Sequence, residues 1–201
     1  LSKKNDSKII FKNYKILKKS FSKKFPPILV GGGSNQTKYG NFLYNKISKH
    51  NTIIFSSMRS LINYSKIRDV KKSTKILINS GNDIQKYSTT LIKKLLKQVD
   101  YMLVEESFVK DVLKFFPKKK IVTTSSIANN PLFLSGLLIK KIKLKKMYLA
   151  FFDGNPSSLQ ESIIMEETLD SLKKLSKKSI KFYSITDNFF DIPKINLWLD
   201  D

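Results

Sequence analysis

Residues 147–185 read MYLAFFDGNPSSLQESIIMEETLDSLKKLSKKSIKFYSI and predict a strand, a helix and a second strand in succession. The apolar runs 147–152 and 180–185 each have the length of a buried strand. Between them, apolar residues recur at spacings of three and four, which places them on one face of a helix at 157–176. The polar segment 153–157, DGNPS, is typical of the turn that opens such a helix. This stretch therefore predicts one unit of a parallel α/β sheet.

The same alternation recurs along most of the chain. Helical patterns at 57–68 and 83–97 each lie between apolar runs of strand length. This repetition predicts an α/β fold, flavodoxin-like or Rossmann-like, with a mainly parallel sheet flanked by helices. The other predicted strands are 52–55, 76–78, 101–104 and 121–122.

Right-handed crossovers place consecutive strands side by side in such a sheet. Four strands are therefore predicted to be neighbours, namely those that begin near Thr52, Lys75, Met147 and Ile180.

Residues 1–27 differ in composition from the rest of the chain. They carry nine lysines among isolated apolar residues, and they end at Pro26 and Pro27. Proline cannot continue a helix, and a run of like charges disfavours packing. The sequence predicts a basic N-terminal arm over 1–27, helical in part at most, and a single α/β domain over 28–201.

The balance of charges indicates a polyanionic partner. The chain has 38 Lys and Arg residues against 16 Asp and Glu residues, a net charge of +22, together with a 41% hydrophobic fraction. So many positive charges on a folded surface repel one another unless a polyanion neutralises them. Lysine greatly exceeds arginine, which suits phosphate neutralisation rather than the reading of base edges. An AT-rich genome is an alternative explanation for the choice of lysine, but it does not explain the shortage of acids.

Basic residues occur in four groups besides the arm, and without compensating acids they indicate contacts with RNA phosphates. A single basic run is usually a solvated face, whereas four runs and an arm favour a nucleic-acid partner. The candidate RNA-binding residues are Lys23, Lys24, Lys38, Lys46, Lys49, Arg59, Arg68, Lys71, Lys72, Lys118, Lys119, Lys120, Lys140, Lys141 and Lys143.

Composition also argues against several classes of site. The chain has no cysteine and a single histidine, His50, so neither a disulfide framework nor a zinc site is expected. The longest uncharged stretch, 121–139, contains many hydroxyl and amide side chains, so no membrane span is expected. We expect no catalytic residues, no metal, no cofactor, no small-molecule substrate and no membrane partner.

Two features admit a catalytic interpretation beside a structural one. The segment 31–35, GGGSN, follows an apolar run and is either a nucleotide-binding loop or a turn that is structural or contacts RNA. It lacks the spacing of both common phosphate-binding motifs, which favours the turn. Asp153, Asp187 and Asp191 follow predicted strands, where they are either ligands for Mg²⁺ or caps and turn residues. We favour caps and turns.

Three segments resemble the second protein of the small ribosomal subunit, the S-two family. Residues 46–64 resemble that family's basic stretch, strand and helix, and 75–81 resembles its next strand and loop. The stronger similarity lies at 185–201, ITDNFFDIPKINLWLDD. It is similar to the family's closing pattern, in which an Asp-Thr-Asn turn precedes Asp-Pro, an apolar strand and paired aspartates.

The resemblance implies a flavodoxin-like domain without catalysis. It would bind small-subunit rRNA near the junction of head and body, beside neighbouring small-subunit ribosomal proteins. Divergence in a lysine-rich, cysteine-free chain indicates an organellar ribosome, mitochondrial rather than plastid, and hence the mitochondrial matrix. This localisation follows from divergence and not from a targeting signal.

The alternative hypothesis is a Rossmann-like domain of a nucleotide-sugar-dependent glycosyltransferase. The repeated strand and helix units suit such an enzyme, and so does the segment 99–110. Against it stand the high positive charge and the lack of a recognisable set of catalytic groups.

Overall fold

A computed structural model describes residues 9–33, 35–67, 73–79, 84–125, 130–152, 159–186 and 190–195. The strands are β1 Phe11–Lys12, β2 Ile28–Val30, β3 Ile53–Phe55, β4 Lys75–Asn79, β5 Tyr101–Glu105, β6 Ile121–Thr124, β7 Lys146–Ala150 and β8 Lys181–Ser184. The helices are α1 Asn35–Lys46, α2 Met58–Ser65, α3 Thr89–Leu96, α4 Val109–Val112, α5 Pro131–Lys141 and α6 Leu159–Ser176. Single 3-10 helices cover Tyr14–Ser20, Ile84–Lys86, Glu106–Phe108 and Lys118–Lys120.

The strands form one sheet in the order β1-β6-β5-β4-β3-β2-β7-β8. β1 is antiparallel to β6, and all the other neighbouring pairs are parallel. The chain enters the centre of the sheet at β2, runs outward to β6, and returns to add β7 and β8 on the other side of β2. This confirms the predicted α/β fold with a mainly parallel sheet and flanking helices.

The predicted strand neighbours need one correction. β3 pairs with β4 and β7 pairs with β8, as expected. The prediction is wrong for β3 and β7, because β2 lies between them and pairs with both, with Leu29 opposite Ile54 and Leu149. β2 has only three residues, all fully buried, and a strand buried on both faces belongs at the centre of a sheet.

Helices cover both faces of the sheet, and alternate strand residues pack against each layer. Ile28 and Val30 face α1 to α4, whereas Leu29 between them faces α5 and α6. This division follows from strand geometry, since successive side chains point to opposite faces. The direction of the crossovers explains the two layers, because units that extend the sheet in opposite directions place their right-handed helices on opposite faces.

The described part of the predicted arm, 9–27, packs against the sheet. Phe11 pairs with Thr124 at the edge of the sheet, and the side chains of Phe11 and Leu17 are buried beside α5 and α6. The Lys141 ammonium lies 5.4 Å from the centroid of the Tyr14 ring, which also joins this segment to α5. The boundary at residue 27 between arm and domain stays a prediction.

Helix α5 is fastened at its start and in its middle. Asn130 caps it, because its side-chain oxygen accepts from the Leu132 and Phe133 amides at 2.9 and 3.3 Å. The same amide group donates to the Thr168 hydroxyl of α6 at 3.2 Å. At Gly136, an added Cβ would lie 2.4 Å from a terminal carbon of the buried Leu175 side chain, so the two helices are in close contact there.

Asn130→Ala is expected to lower the free energy of unfolding by about 1–3 kcal/mol, because it removes the cap and a buried hydrogen bond. The matched variant Asn130→Asp keeps the capping oxygen and loses only the donor to Thr168, so its loss should be smaller. Urea unfolding of both variants measures the difference. Equal losses would mean that the cap contributes nothing.

Candidate nucleic-acid interface

The parallel strands all begin at the same edge of the sheet, and lysines collect in the segments that lead into them. Ten of the predicted RNA-binding residues lie at this amino-terminal edge, which we call the basic edge. These residues are Lys23, Lys24, Lys46, Lys49, Lys118, Lys119, Lys120, Lys140, Lys141 and Lys143. Lys120 is half-buried and the other nine are exposed. Groups that are far apart in the sequence therefore share one surface.

The basic edge extends across most of the sheet. Lys118–Lys120 precede β6 near one end, Lys49 precedes β3, and Lys23 precedes the central β2. Lys143 precedes β7 towards the other end. Seven parallel strands at a spacing of about 4.8 Å make this edge about 30 Å long.

Helix dipoles account for part of this arrangement. Each helix that returns to the basic edge ends there with its negative end, and lysines in the last turn compensate that partial charge. Lys46 in α1 and Lys140 and Lys141 in α5 occupy such positions. Lys23, Lys49 and the other loop lysines lie outside helical last turns, so the dipole does not account for them.

Acidic groups near the basic edge compensate little of its charge. The carboxylate of Asp100, which precedes β5, accepts the backbone N–H of Lys75 at 2.9 Å. Glu105 and Glu106 lie at the opposite edge, where β5 ends, and Glu106 forms an ion pair with Lys12 at 2.8 Å. The sheet therefore carries its positive charge at one edge and these carboxylates at the other.

Lys38 and Arg59 lie apart from the basic edge. Each belongs to the start of a helix, α1 or α2, and both helices begin at the carboxyl-terminal edge of the sheet. A side-chain hydrogen bond to Tyr39 raises the pKa of Lys38 above its ordinary value, so this lysine stays charged at neutral pH. Arg59 lies beside Gly32, where an added Cβ would be 3.3 Å from the arginine Cδ. The structure does not bring these two residues together with the other lysines.

The remaining candidate residues fall outside the described residues or stand alone. Arg68, Lys71 and Lys72 lie outside the part of the chain that the structure describes. Asp153 and Asp187 also lie outside it, whereas Asp191 is described and exposed.

The glycine segment meets the end of β7 at the centre of the sheet. The Gly31 N–H donates to the Ala150 carbonyl at 2.9 Å, and the Gly33 N–H donates to the Phe151 carbonyl at 3.2 Å. An added Cβ at Gly31 would lie 2.4 Å from the Phe151 carbonyl oxygen. Because these two amides bond within the protein, they are not directed at a phosphate. This geometry favours the structural turn over the nucleotide-binding loop.

Further basic residues of this edge are absent from the sequence-based candidates. Lys97 lies between α3 and β5, and Lys177 and Lys178 lie between α6 and β8. Their common signal is a position after a helical pattern and before an apolar run. Among the described residues, no helix is both long and apolar enough to cross a membrane, and no group of three or more acidic or histidine side chains is placed to hold a metal ion.

Comparisons of the chain with protein-family models, with curated proteins and with solved structures gave no match.

Proposed function

We propose that this chain is a structural constituent of the small ribosomal subunit of mitochondria, where it binds small-subunit rRNA and neighbouring ribosomal proteins. The observation that carries the proposal is the basic edge, whose ten lysines come from separate loops and helix ends. In this role the protein neutralises and positions RNA in the mitochondrial matrix and catalyses no reaction.

The length and chemistry of the basic edge suit a nucleic acid. An edge of about 30 Å with closely spaced ammonium groups matches a chain of phosphates better than it matches a single small ligand. Lysine ammonium groups are flexible point charges, which suits the neutralisation of phosphates without the reading of base edges. Loop lysines such as Lys23, Lys49 and Lys118 are placed at the surface by strand starts, not by helix capping.

The distribution of charge gives the protein an orientation on RNA. The basic edge would face the RNA, and the opposite edge, with Glu105, Glu106 and Arg59, would face away from it. Mixed charges at that opposite edge suit a contact with neighbouring proteins, because carboxylates repel phosphates.

The ribosomal assignment rests on the resemblance to the S-two family. In the strongest segment of that resemblance, 185–201, the described residues return to the end of β8. Ser184 donates its N–H to Pro193 and accepts from the Ile195 N–H, both at 2.8 Å, and Phe190 is buried against the α5 and α6 layer. A closing apolar segment beside the last strand agrees with the family's closing pattern, and this agreement supports the proposal.

The tagged chain, expressed in its own cells, is expected to sediment with the small ribosomal subunit and to leave it only at high salt, because its contacts are mainly electrostatic. Sucrose gradients at increasing salt measure this, and sequencing of cross-linked RNA identifies the rRNA. Digestion with ribonuclease before the gradient is the control and should return the chain to the top.

Two results would contradict the proposal. One is a chain that remains at the top of the gradient at low salt or sediments with membranes. The other is a purified chain whose melting temperature rises on addition of Mg²⁺ and a nucleotide sugar, which would favour the transferase hypothesis.

A further inference from the structure

A cleft of about 440 Å³ opens at the basic edge, beside the start of the central strands. We call it the Phe25 pocket, and the lining residues used below are Lys19, Phe21, Ser22, Phe25, Lys49 and His50. They come from two segments that are distant in sequence, the one that leads into β2 and the one that leads into β3. The volume lies within the range of pockets that hold small organic groups.

Hydrogen bonds fix the walls of this pocket. The Ser22 hydroxyl oxygen accepts from the Lys24 and Phe25 amides at 3.2 and 3.3 Å, which holds the turn that carries Phe25. The buried Asn51 side chain donates to the Pro26 carbonyl at 2.7 Å, and the Thr52 hydroxyl donates to the Ser20 carbonyl. These bonds join the two segments, so the pocket is formed before any partner binds.

Two rings lie side by side in the pocket. The Phe25 and His50 ring centroids are 5.3 Å apart, and the planes are inclined by 31°. Phe25 is half-buried and His50 is exposed, so the pair is accessible from one side. Exposed flat rings of this kind form a surface on which a nucleic-acid base can stack.

The polar groups around these rings are basic. Lys19 and Lys49 line the pocket, and the Lys24 ammonium lies 5.6 Å from the centroid of the Phe25 ring. Of the described residues that line the pocket, none is an aspartate or a glutamate. Rings beside ammonium groups match the two parts of a nucleotide, a flat base and an anionic phosphate.

We propose that the Phe25 pocket binds one unpaired nucleotide of the RNA, and this inference rests on the proposed function. The base stacks on Phe25 and His50, and the phosphate beside it is neutralised by Lys19 and Lys49. The chain therefore recognises RNA at two levels. The whole basic edge binds phosphates of any sequence, and the pocket selects a position where a base is unpaired.

An unpaired nucleotide fits this chemistry better than the other possible occupants. A base within an A-form duplex presents no free face, because it is stacked and paired. An acidic peptide would satisfy the lysines but would leave the two rings without a partner. The pocket's rings and charges are used together only by a nucleotide that has left the stack.

The test compares two RNA hairpins, one fully paired and one with a single bulged nucleotide, for binding to the purified full chain. Stacking of one base on an aromatic side chain corresponds to a change of about 5- to 100-fold in affinity. The parent chain is therefore expected to bind the bulged hairpin at least about fivefold more tightly. His50→Ala and Phe25→Leu should each reduce that preference, while affinity for the paired hairpin stays the same.

Two controls keep the result specific to the pocket. Phe42→Leu replaces an aromatic residue on α1 that is 54% exposed and outside the pocket, and it should retain the full preference. His50 is exposed, so His50→Ala is expected to fold even if Phe25→Leu does not, and thermal melting verifies each variant. A bulged 4-thiouridine should cross-link to 19–25 or 48–50.

The outcomes separate this proposal from the proposed function. Equal affinity of the parent for the two hairpins overturns the pocket proposal alone, whereas weak, salt-insensitive binding of both hairpins overturns the proposed function. The pocket proposal also fails if His50→Ala leaves the preference intact. It fails again if a polyglutamate peptide abolishes the preference without affecting the paired hairpin, since the pocket would then bind acidic peptides.

Discussion

Gly31→Ala is expected to lower the free energy of unfolding by about 3 kcal/mol or more, because the new methyl group would overlap a backbone atom. Its Cβ would lie 2.4 Å from the Phe151 carbonyl oxygen, at the point where β2 meets β7. The methyl group cannot be accommodated by a change of rotamer, so the two central strands must separate. For a domain of this size, such a loss corresponds to a fall in melting temperature of about 6–12 °C.

Gly32→Ala is the matched control for this prediction. Its Cβ would meet only the Arg59 side chain, at 3.3 Å, and an exposed arginine can move aside. We expect a change of no more than about 0.5 kcal/mol. Urea and thermal unfolding compare the two variants, and similar values for both would show that β2 and β7 are not in close contact at Gly31.

Replacing Lys118, Lys119 and Lys140 together with glutamine is expected to reduce RNA affinity about tenfold or more at 0.1 M salt. The three residues come from two separate parts of the basic edge, and all are exposed. Each lost phosphate contact releases fewer counterions, so the slope of log affinity against log salt should become shallower by about 2 to 3. Fluorescence anisotropy with labelled RNA, repeated over a range of salt concentrations, measures both quantities.

The control for that variant removes the same charge from the opposite edge. Lys38, Lys86 and Lys110 are exposed and follow strand ends, so their replacement with glutamine should change affinity and slope much less. If the two triple variants lose affinity equally, net charge alone governs binding and the basic edge is not the interface. A reduced affinity with an unchanged slope would mean that the lysines act through folding.

The contrast between these two triple variants is a consequence of tertiary structure. In the sequence, Lys38 and Arg59 resemble Lys49 and Lys118, because all of them lie near other basic or aromatic residues. The fold separates them, since a helix that follows a strand begins at the carboxyl edge and ends at the amino edge. Sequence position relative to strand starts and ends decides the surface, and local composition does not.

The positions of functional pairs were similarly hidden in the sequence. Phe25 and His50 are 25 residues apart, and no local period relates them, yet their rings lie 5.3 Å apart. Hydrogen bonds across the start of β2 and β3 produce this contact. The pocket was therefore absent from the predictions made from the sequence.

The alternation of strand and helix was determined by the sequence alone, because hydrophobic periodicity is local and the unit at 147–185 shows it directly. The surplus of lysine, and with it the expectation of a polyanionic partner, also needed no structure. The place of β2 between β3 and β7 was decided by the tertiary structure, because three apolar residues carry too short a pattern to determine a strand order. The gathering of distant lysines on one edge was decided in the same way, since it depends on the common direction of the parallel strands.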